Sequence, residues 1–168
     1  TATSFALAES GAAMEEIQLF EYLARQYYSN TDIPTKFKIP TPYFNILNGG
    51  KHAGGNLKLQ EFMASPNPKI AYPDQLRMVA EVYHKLSALL QEKYGVSAKN
   101  LGDEGGFAPL LNSPDEALEC IEQATINAGY KPGEDIRIAL DAAASEFYDH
   151  ETKLYEVEVG VKKTGEEM

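Results

Sequence analysis

The sequence has one cysteine, Cys120, and no tryptophan. A lone cysteine excludes an internal disulfide. It falls within a helical pattern and is expected to be a small core residue rather than a reactive thiol. Basic residues are also scarce: 15 Lys and Arg against 25 Asp and Glu give a formal net charge of −10. That balance argues against nucleic-acid binding, which needs Lys and Arg to neutralise phosphates. An anionic substrate remains compatible with it if a metal supplies local positive charge. No apolar run approaches the roughly 20 residues of a membrane helix. The start, Thr1-Ala2-Thr3-Ser4-Phe5, lacks a basic region and a long apolar stretch, so no signal peptide is expected. It also lacks Met, as in a processed or incomplete chain. Repeats and low-complexity segments are absent. The composition, 43% hydrophobic and 24% charged over 168 residues, fits a soluble globular chain with room for a core. A reducing, cytosolic setting agrees with the single cysteine.

Periodicity predicts the elements. Residues 3–28 read as helix in two pieces, broken near Gly11, with Ile17, Phe20, Leu23 and Ala24 on one stripe. Residues 29–38 carry Pro34 and read as a loop. Residues 39–47 read as a buried or edge strand whose start is limited by Pro40 and Pro42. Leu57, Leu59, Glu61 and Met63 alternate with Lys58, Gln60 and Phe62, which predicts a strand with Glu61 on its apolar face. Residues 74–94 read as a helix with a stripe of Leu76, Val79, Tyr83, Leu86 and Leu90, capped by Gly95. Ser113-Pro114-Asp115-Glu116 is a capping box opening a helix that Gly129 stops. Ile136, Ile138 and Leu140 alternate toward Asp141, giving a strand that ends on an acid. Beyond it, residues 146–159 suggest a hairpin turning at Asp149–Thr152. The order helix, strand, strand, helix, helix, strand, hairpin departs from strict strand–helix alternation.

Four stretches carry candidate chemistry. Residues 48–55, "NGGKHAGG", resemble a phosphate loop but fail its pattern: Gly50-Lys51 is followed by His52, and the earlier glycine is missing. The alternatives are a plain turn between strands or a loop that brings His52 to a ligand. Glu61, on a strand with Gln60 beside it, reads either as a paired structural carboxylate or as an acid in a cleft. Asp103-Glu104-Gly105-Gly106 reads either as a turn or as two accessible acids in a glycine-rich loop. Asp141 closes a strand, where α/β sheets place ligands and where acids hold metals. His84 reads as an ordinary helix residue and His150 as a solvated turn residue.

Together, "FNILNGGKHAGG", "LQEFM", "EVYH", "GDEGGFAP" and "IALDAAASEFYD" occur in the order, and at about the spacing, of the enolase family. The resemblance runs from about Ser4 to about Tyr155. It implies an α/β fold, part of a modified TIM-like barrel that begins strand-strand-helix-helix, with about the first three barrel strands present. Residues 1–38 would lead into the barrel, and residues 39–168 would form its incomplete N-terminal part. The implied reaction is dehydration of 2-phosphoglycerate to phosphoenolpyruvate, and its reverse, with Mg2+ as cofactor. His52 would close on the substrate, with Gln60 and Glu61 beside it. Glu104 would act with Glu61 in helping hydroxide leave, and Asp141 would be a metal ligand. The family also implies a cytoplasmic homodimer.

The departure is equally informative. The family's basic Lys, two further acidic metal ligands, a second His and phosphate-binding Arg and Ser have no counterpart here, since Lys162 and Lys163 read as a polar tail. The expectation is therefore an internal piece of an enolase, inactive alone. Rival readings are a non-catalytic enolase-like interaction module and another Mg2+-dependent enzyme that abstracts a proton beside a carboxylate.

Overall fold

The computed structural model describes all residues except Asn30, and of His52 the backbone alone. Its chain falls into two units, Thr1–Ile39 and Pro40–Met168. In the first, α1 (Ala2–Met14) and α2 (Leu19–Tyr27) are joined by a turn in which Glu16 has a φ of 56°. The chain breaks at this turn and not near Gly11, which lies inside α1. The glycine serves close approach instead: a Cβ there would lie 2.3 Å from the Tyr22 hydroxyl oxygen of α2. The expected stripe is not buried either, since Phe20 is 54% and Leu23 49% exposed.

The second unit starts from a three-stranded sheet, β1 (Phe44–Asn48), β2 (Glu61–Pro66) and β3 (Ile136–Asp141), in that order across the sheet. β2 runs antiparallel to both neighbours. The short β1–β2 connection requires this for the first pair, because parallel neighbours need a longer crossover. A one-turn helix, α3 (Gly50–Ala53), lies within that connection. β1 starts later than expected, after the prolines at 40 and 42. β2 is displaced toward the C-terminus relative to the expected 57–63. Leu57 is fully buried but sits outside the strand. Its apolar character mimicked strand alternation while serving as a plug under the β1–β2 connection.

The displacement changes which face is which. Phe62 and Ala64 point into the core, and Glu61 and Met63 are half-buried on the other face. Glu61 is therefore not on the apolar side, contrary to the alternation read from Leu57 onward. The core side is covered by α4 (Tyr72–Tyr94) and α5 (Pro114–Asn127), which pack together. Val82, Leu86 and Leu90 of α4 join Ile121 of α5 and Ile46, Leu47 and Phe62 of the sheet in one cluster. The α4 stripe forms as expected at Val79, Leu86 and Leu90, with Tyr83 packed against the core; Met78 and Val82 widen it, whereas Leu76 is 49% exposed. Gly95, with φ 88°, ends α4, and a 3-10 turn, Val96–Lys99, follows. At α5, the Ser113 hydroxyl accepts the Glu116 backbone N–H at 3.3 Å, so the cap forms. The Glu116 carboxylate accepts from the Asn112 N–H rather than closing the box on Ser113. Cys120 is buried in α5, as expected.

After β3 and a 3-10 turn at Ala144–Glu146, the chain forms a second antiparallel sheet: β4 (Tyr148–Asp149), β5 (Leu154–Glu158) and β6 (Val161–Lys163). The expected turn is present, with Asp149 Oδ1 accepting the N–H groups of Glu151 at 2.8 Å and Thr152 at 3.2 Å. The expected hairpin gains a third strand. Lys162 and Lys163 lie in β6, not in an irregular tail.

Candidate active site

Reversal of β2 decides which residues meet. It brings the start of β2 to the same rim of the sheet as the ends of β1 and β3. Asn48 is in register with Glu61, and Glu61 with Asp141. The Gly49 N–H donates to Gln60 O at 2.9 Å, and the Gln60 N–H donates to Asp141 O at 3.1 Å. Directly opposed residues in antiparallel strands place their Cβ atoms about 4.5–5.5 Å apart on one face. Glu61 is thus flanked by Asn48 on one side and Asp141 on the other by backbone geometry alone.

Glu104 arrives from elsewhere. Its loop is a turn closed by Gly105 N–H to Gly102 O at 3.0 Å and Gly102 N–H to Gly106 O at 2.8 Å. The following Phe107 docks beside β1 like a further strand residue: its N–H donates to Ile46 O at 3.0 Å, and its O accepts the Asn48 N–H at 2.7 Å. From α4, the Tyr83 hydroxyl donates to Gly105 O at 2.7 Å, and its ring stacks on Phe107 with centroids 4.3 Å apart. Gly106 is dictated by this docking, since a Cβ there would lie 2.0 Å from Asn48 Oδ1. The glycines around the acids therefore form a fixed turn rather than a slack one. Its tip presents Glu104 to the rim, where Asn45 Nδ2 donates to Glu104 Oε2 at 2.8 Å.

The Glu61 and Glu104 carboxyl groups lie close enough to interact. Glu61 is held above the usual carboxyl range, first by burial, then by that interaction and by the charges of Glu104 and Asp141. A hydrogen bond from Gln60 acts the other way without cancelling these. Glu61 therefore keeps its proton to a higher pH than an isolated carboxyl group would. Between Asn48, Gln60 and the Asp103–Glu104 tip lies a cavity of about 150 Å3, to which Ala53 of α3 also contributes.

Gly49 approaches the backbone of the β2 approach so closely that a Cβ would fall 2.3 Å from Leu59 O. Gly50 and Gly54, with φ of 70° and 68°, bracket α3. His52 lies in this helix, but its side chain is outside the described residues. Asp141 is exposed at the end of β3, with Oδ1 accepting the Ala143 N–H at 2.9 Å. Its hard, anionic oxygen suits a divalent cation such as Mg2+, which characteristically takes one or two protein carboxylates and fills its remaining positions with water and substrate. Among the described residues no three His, Cys, Asp or Glu side chains converge as a metal cluster. His84 is exposed on α4, and His150 lies in the β4–β5 turn, edge-on to Tyr148.

Residues 36–168 match the family described as enolase, C-terminal TIM barrel domain. The chain belongs to the enolase family. An enolase of Eimeria tenella is 45% identical to it over 157 residues, which are 94% of this chain and 34% of that protein. The chain thus spans about a third of the length of that relative. Its β1–β2–β3 sheet, with α4 and α5 behind it, is a portion of the enolase TIM barrel and carries an unusual antiparallel start. Asn45, Asn48 and Tyr83 were not singled out from sequence as site-building residues. The only hint was their place inside the blocks "FNILNGG" and "EVYH", because the contacts they make span long stretches of chain.

Proposed function

We propose that the parent protein dehydrates 2-phosphoglycerate to phosphoenolpyruvate, and runs the reverse reaction, with residues 1–168 supplying the acid side of the active site. One observation carries this reading: Glu61, with Glu104 beside it, stands opposite the strand-end Asp141 on one rim of the sheet. Asp141 would hold Mg2+, whose role is to stabilise negative charge building up on the substrate carboxylate. In the dehydration direction the C–O bond breaks toward the leaving hydroxide, which becomes water on taking one proton. Glu104 gives that proton, working with Glu61 as its partner. Gln60 orients Glu61, and His52 would close on the substrate from α3.

Residues 1–38 would lead into the barrel domain begun by residues 39–168. The Lys that removes the substrate proton, the further metal ligands and the phosphate-binding groups would come from other parts of the parent chain. Residues 1–168 alone would therefore be inactive. The parent would act as a cytoplasmic homodimer. No described helix is long and apolar enough to cross a membrane. The test is to follow phosphoenolpyruvate absorbance with the purified parent protein, Mg2+ and 2-phosphoglycerate. Turnover that is lost with Glu104→Gln supports the reading; a wild-type parent without turnover overturns it.

A further inference from the structure

The loop bearing Glu104 is held at several points along its backbone. Gly102 and Gly106 close it, Phe107 is bonded to Ile46 and Asn48, and Tyr83 holds the Gly105 carbonyl. All of these act on the backbone. The bond from Asn45 Nδ2 to Glu104 Oε2, 2.8 Å long, acts on the carboxylate itself. Asn45 is well placed to do so. It lies on β1 in register with Met63, and the ladder slips between Asn45 and Leu47, leaving Ile46 as an extra residue. The Ile46 carbonyl is the group that receives Phe107. The same irregularity thus docks the Glu104 loop and sets the Asn45 amide against the Glu104 side chain. A bulge commonly re-aims a side chain in this way.

We propose that Asn45 is a positioning residue that fixes the rotation of the Glu104 carboxyl group and so selects which oxygen delivers the proton. An amide N–H donates and cannot accept. Oε2, which receives it, is therefore occupied as an acceptor, and Oε1 is the oxygen available to carry a proton. Without the amide, the terminal torsion of a glutamate is broad and roughly two-fold. Either oxygen could then face the leaving group, and misalignment of a proton donor lowers the rate without altering substrate affinity. This inference rests on the proposed dehydration and refines it at one side chain.

The experiment is a double-mutant cycle in the purified parent protein, reading kcat and KM for 2-phosphoglycerate and the thermal midpoint. Asn45→Leu keeps the side-chain volume and removes the donor. It should lower kcat on the order of tenfold to a hundredfold with KM and the thermal midpoint nearly unchanged. Asn45→Asp keeps the shape and replaces the donor with an acceptor. It should lower kcat at least as much, and it keeps the test alive if the leucine variant folds poorly. In a Glu104→Gln background the same Asn45 change should cost less than about twofold, because its target is already gone. An equal proportional loss in both backgrounds, or a KM change without a kcat change, overturns the positioning role. If Glu104→Gln itself leaves kcat intact, the proposed function fails first, which separates the two outcomes.

Discussion

Glu61 and Asp141 stand opposite each other across the β2–β3 ladder, at the end where β3 stops and β2 starts. An acid kept above its usual range therefore sits one strand away from an exposed acid suited to a cation. Their neighbouring positions but different surroundings suggest separable roles.

In the parent protein, Glu104→Gln should abolish most turnover while leaving Mg2+ affinity close to that of the wild type, because the amide keeps the shape but cannot supply the proton. Asp141→Asn should instead weaken Mg2+ binding, since an anionic ligand is lost. Titrating activity and metal binding separately distinguishes them. Near-normal turnover of the Glu104 variant at saturating substrate and metal would sink its assignment as donor.

Gly106→Ala should destabilise the protein by about 1–3 kcal/mol, the usual cost of overpacking. The added carbon would collide with Asn48 Oδ1 at 2.0 Å and press on the Leu47 nitrogen at 3.1 Å. Gly54→Ala meets nothing within 4 Å, but its φ is 68°. It should cost about 1–2 kcal/mol through backbone strain alone. Adding Asn rather than Ala at residue 54 should recover part of that loss, since Asn tolerates this conformation, and should recover none at residue 106. Urea midpoints of the four variants give the comparison.

The buried face of α4 is open to the same measurement. Leu86 is fully buried, and its truncation to Ala should cost about 2–5 kcal/mol. Leu76→Ala should stay within about 0.5 kcal/mol, as for an exposed site. Equal losses would restore the stripe read from the sequence.

Alkaline conditions should loosen the α4–α5 region. Burial pushes the Cys120 thiol up, and burial followed by the neighbouring Cys120 pushes Tyr94 up to about 12. Both folded values lie above the unfolded ones, about 8.5 for Cys and about 10 for Tyr. Their stabilising contribution is therefore complete below about pH 8.5 and declines as pH rises through the folded values. Urea midpoints should be level near pH 8 and fall toward pH 11, less steeply in Cys120→Ala. A rise over that interval would contradict the assignment. Iodoacetamide should likewise label Cys120 slowly until the protein is unfolded.

What the sequence revealed depended on how local the determining forces are. β3 was legible to its last residue because Ile136, Ile138 and Leu140 alternate and Asp141 ends the run. The α5 cap was legible because Ser113 and Glu116 interact across one turn. β2 was displaced because Leu57 is apolar for a reason unrelated to strand pairing: it plugs the β1–β2 connection. The face of Glu61 was misread with it, because within the paired strand the core side is lined by Phe62 and Ala64. Glu61, Glu104 and Asp141 could be named from their motifs, but the approach of Glu104 to Glu61 could not be read from spacing. It depends on Phe107 docking beside Ile46, a contact made after a long excursion through α4.

The reversed β2 also has a consequence for the order of assembly. Asn48 and Glu61 are close in the chain, so their pairing closes a short loop at small entropic cost. Asp141 reaches the same rim only after α4 and α5 have been traversed, a contact of much greater sequence separation, and such contacts form late. The Gln60–Glu61 half of the rim is therefore a local hairpin that can be in place first. The cation-binding corner is its slow partner. A nascent chain would have the Gln60–Glu61 end of the rim in place before Glu104 or Asp141 could join it.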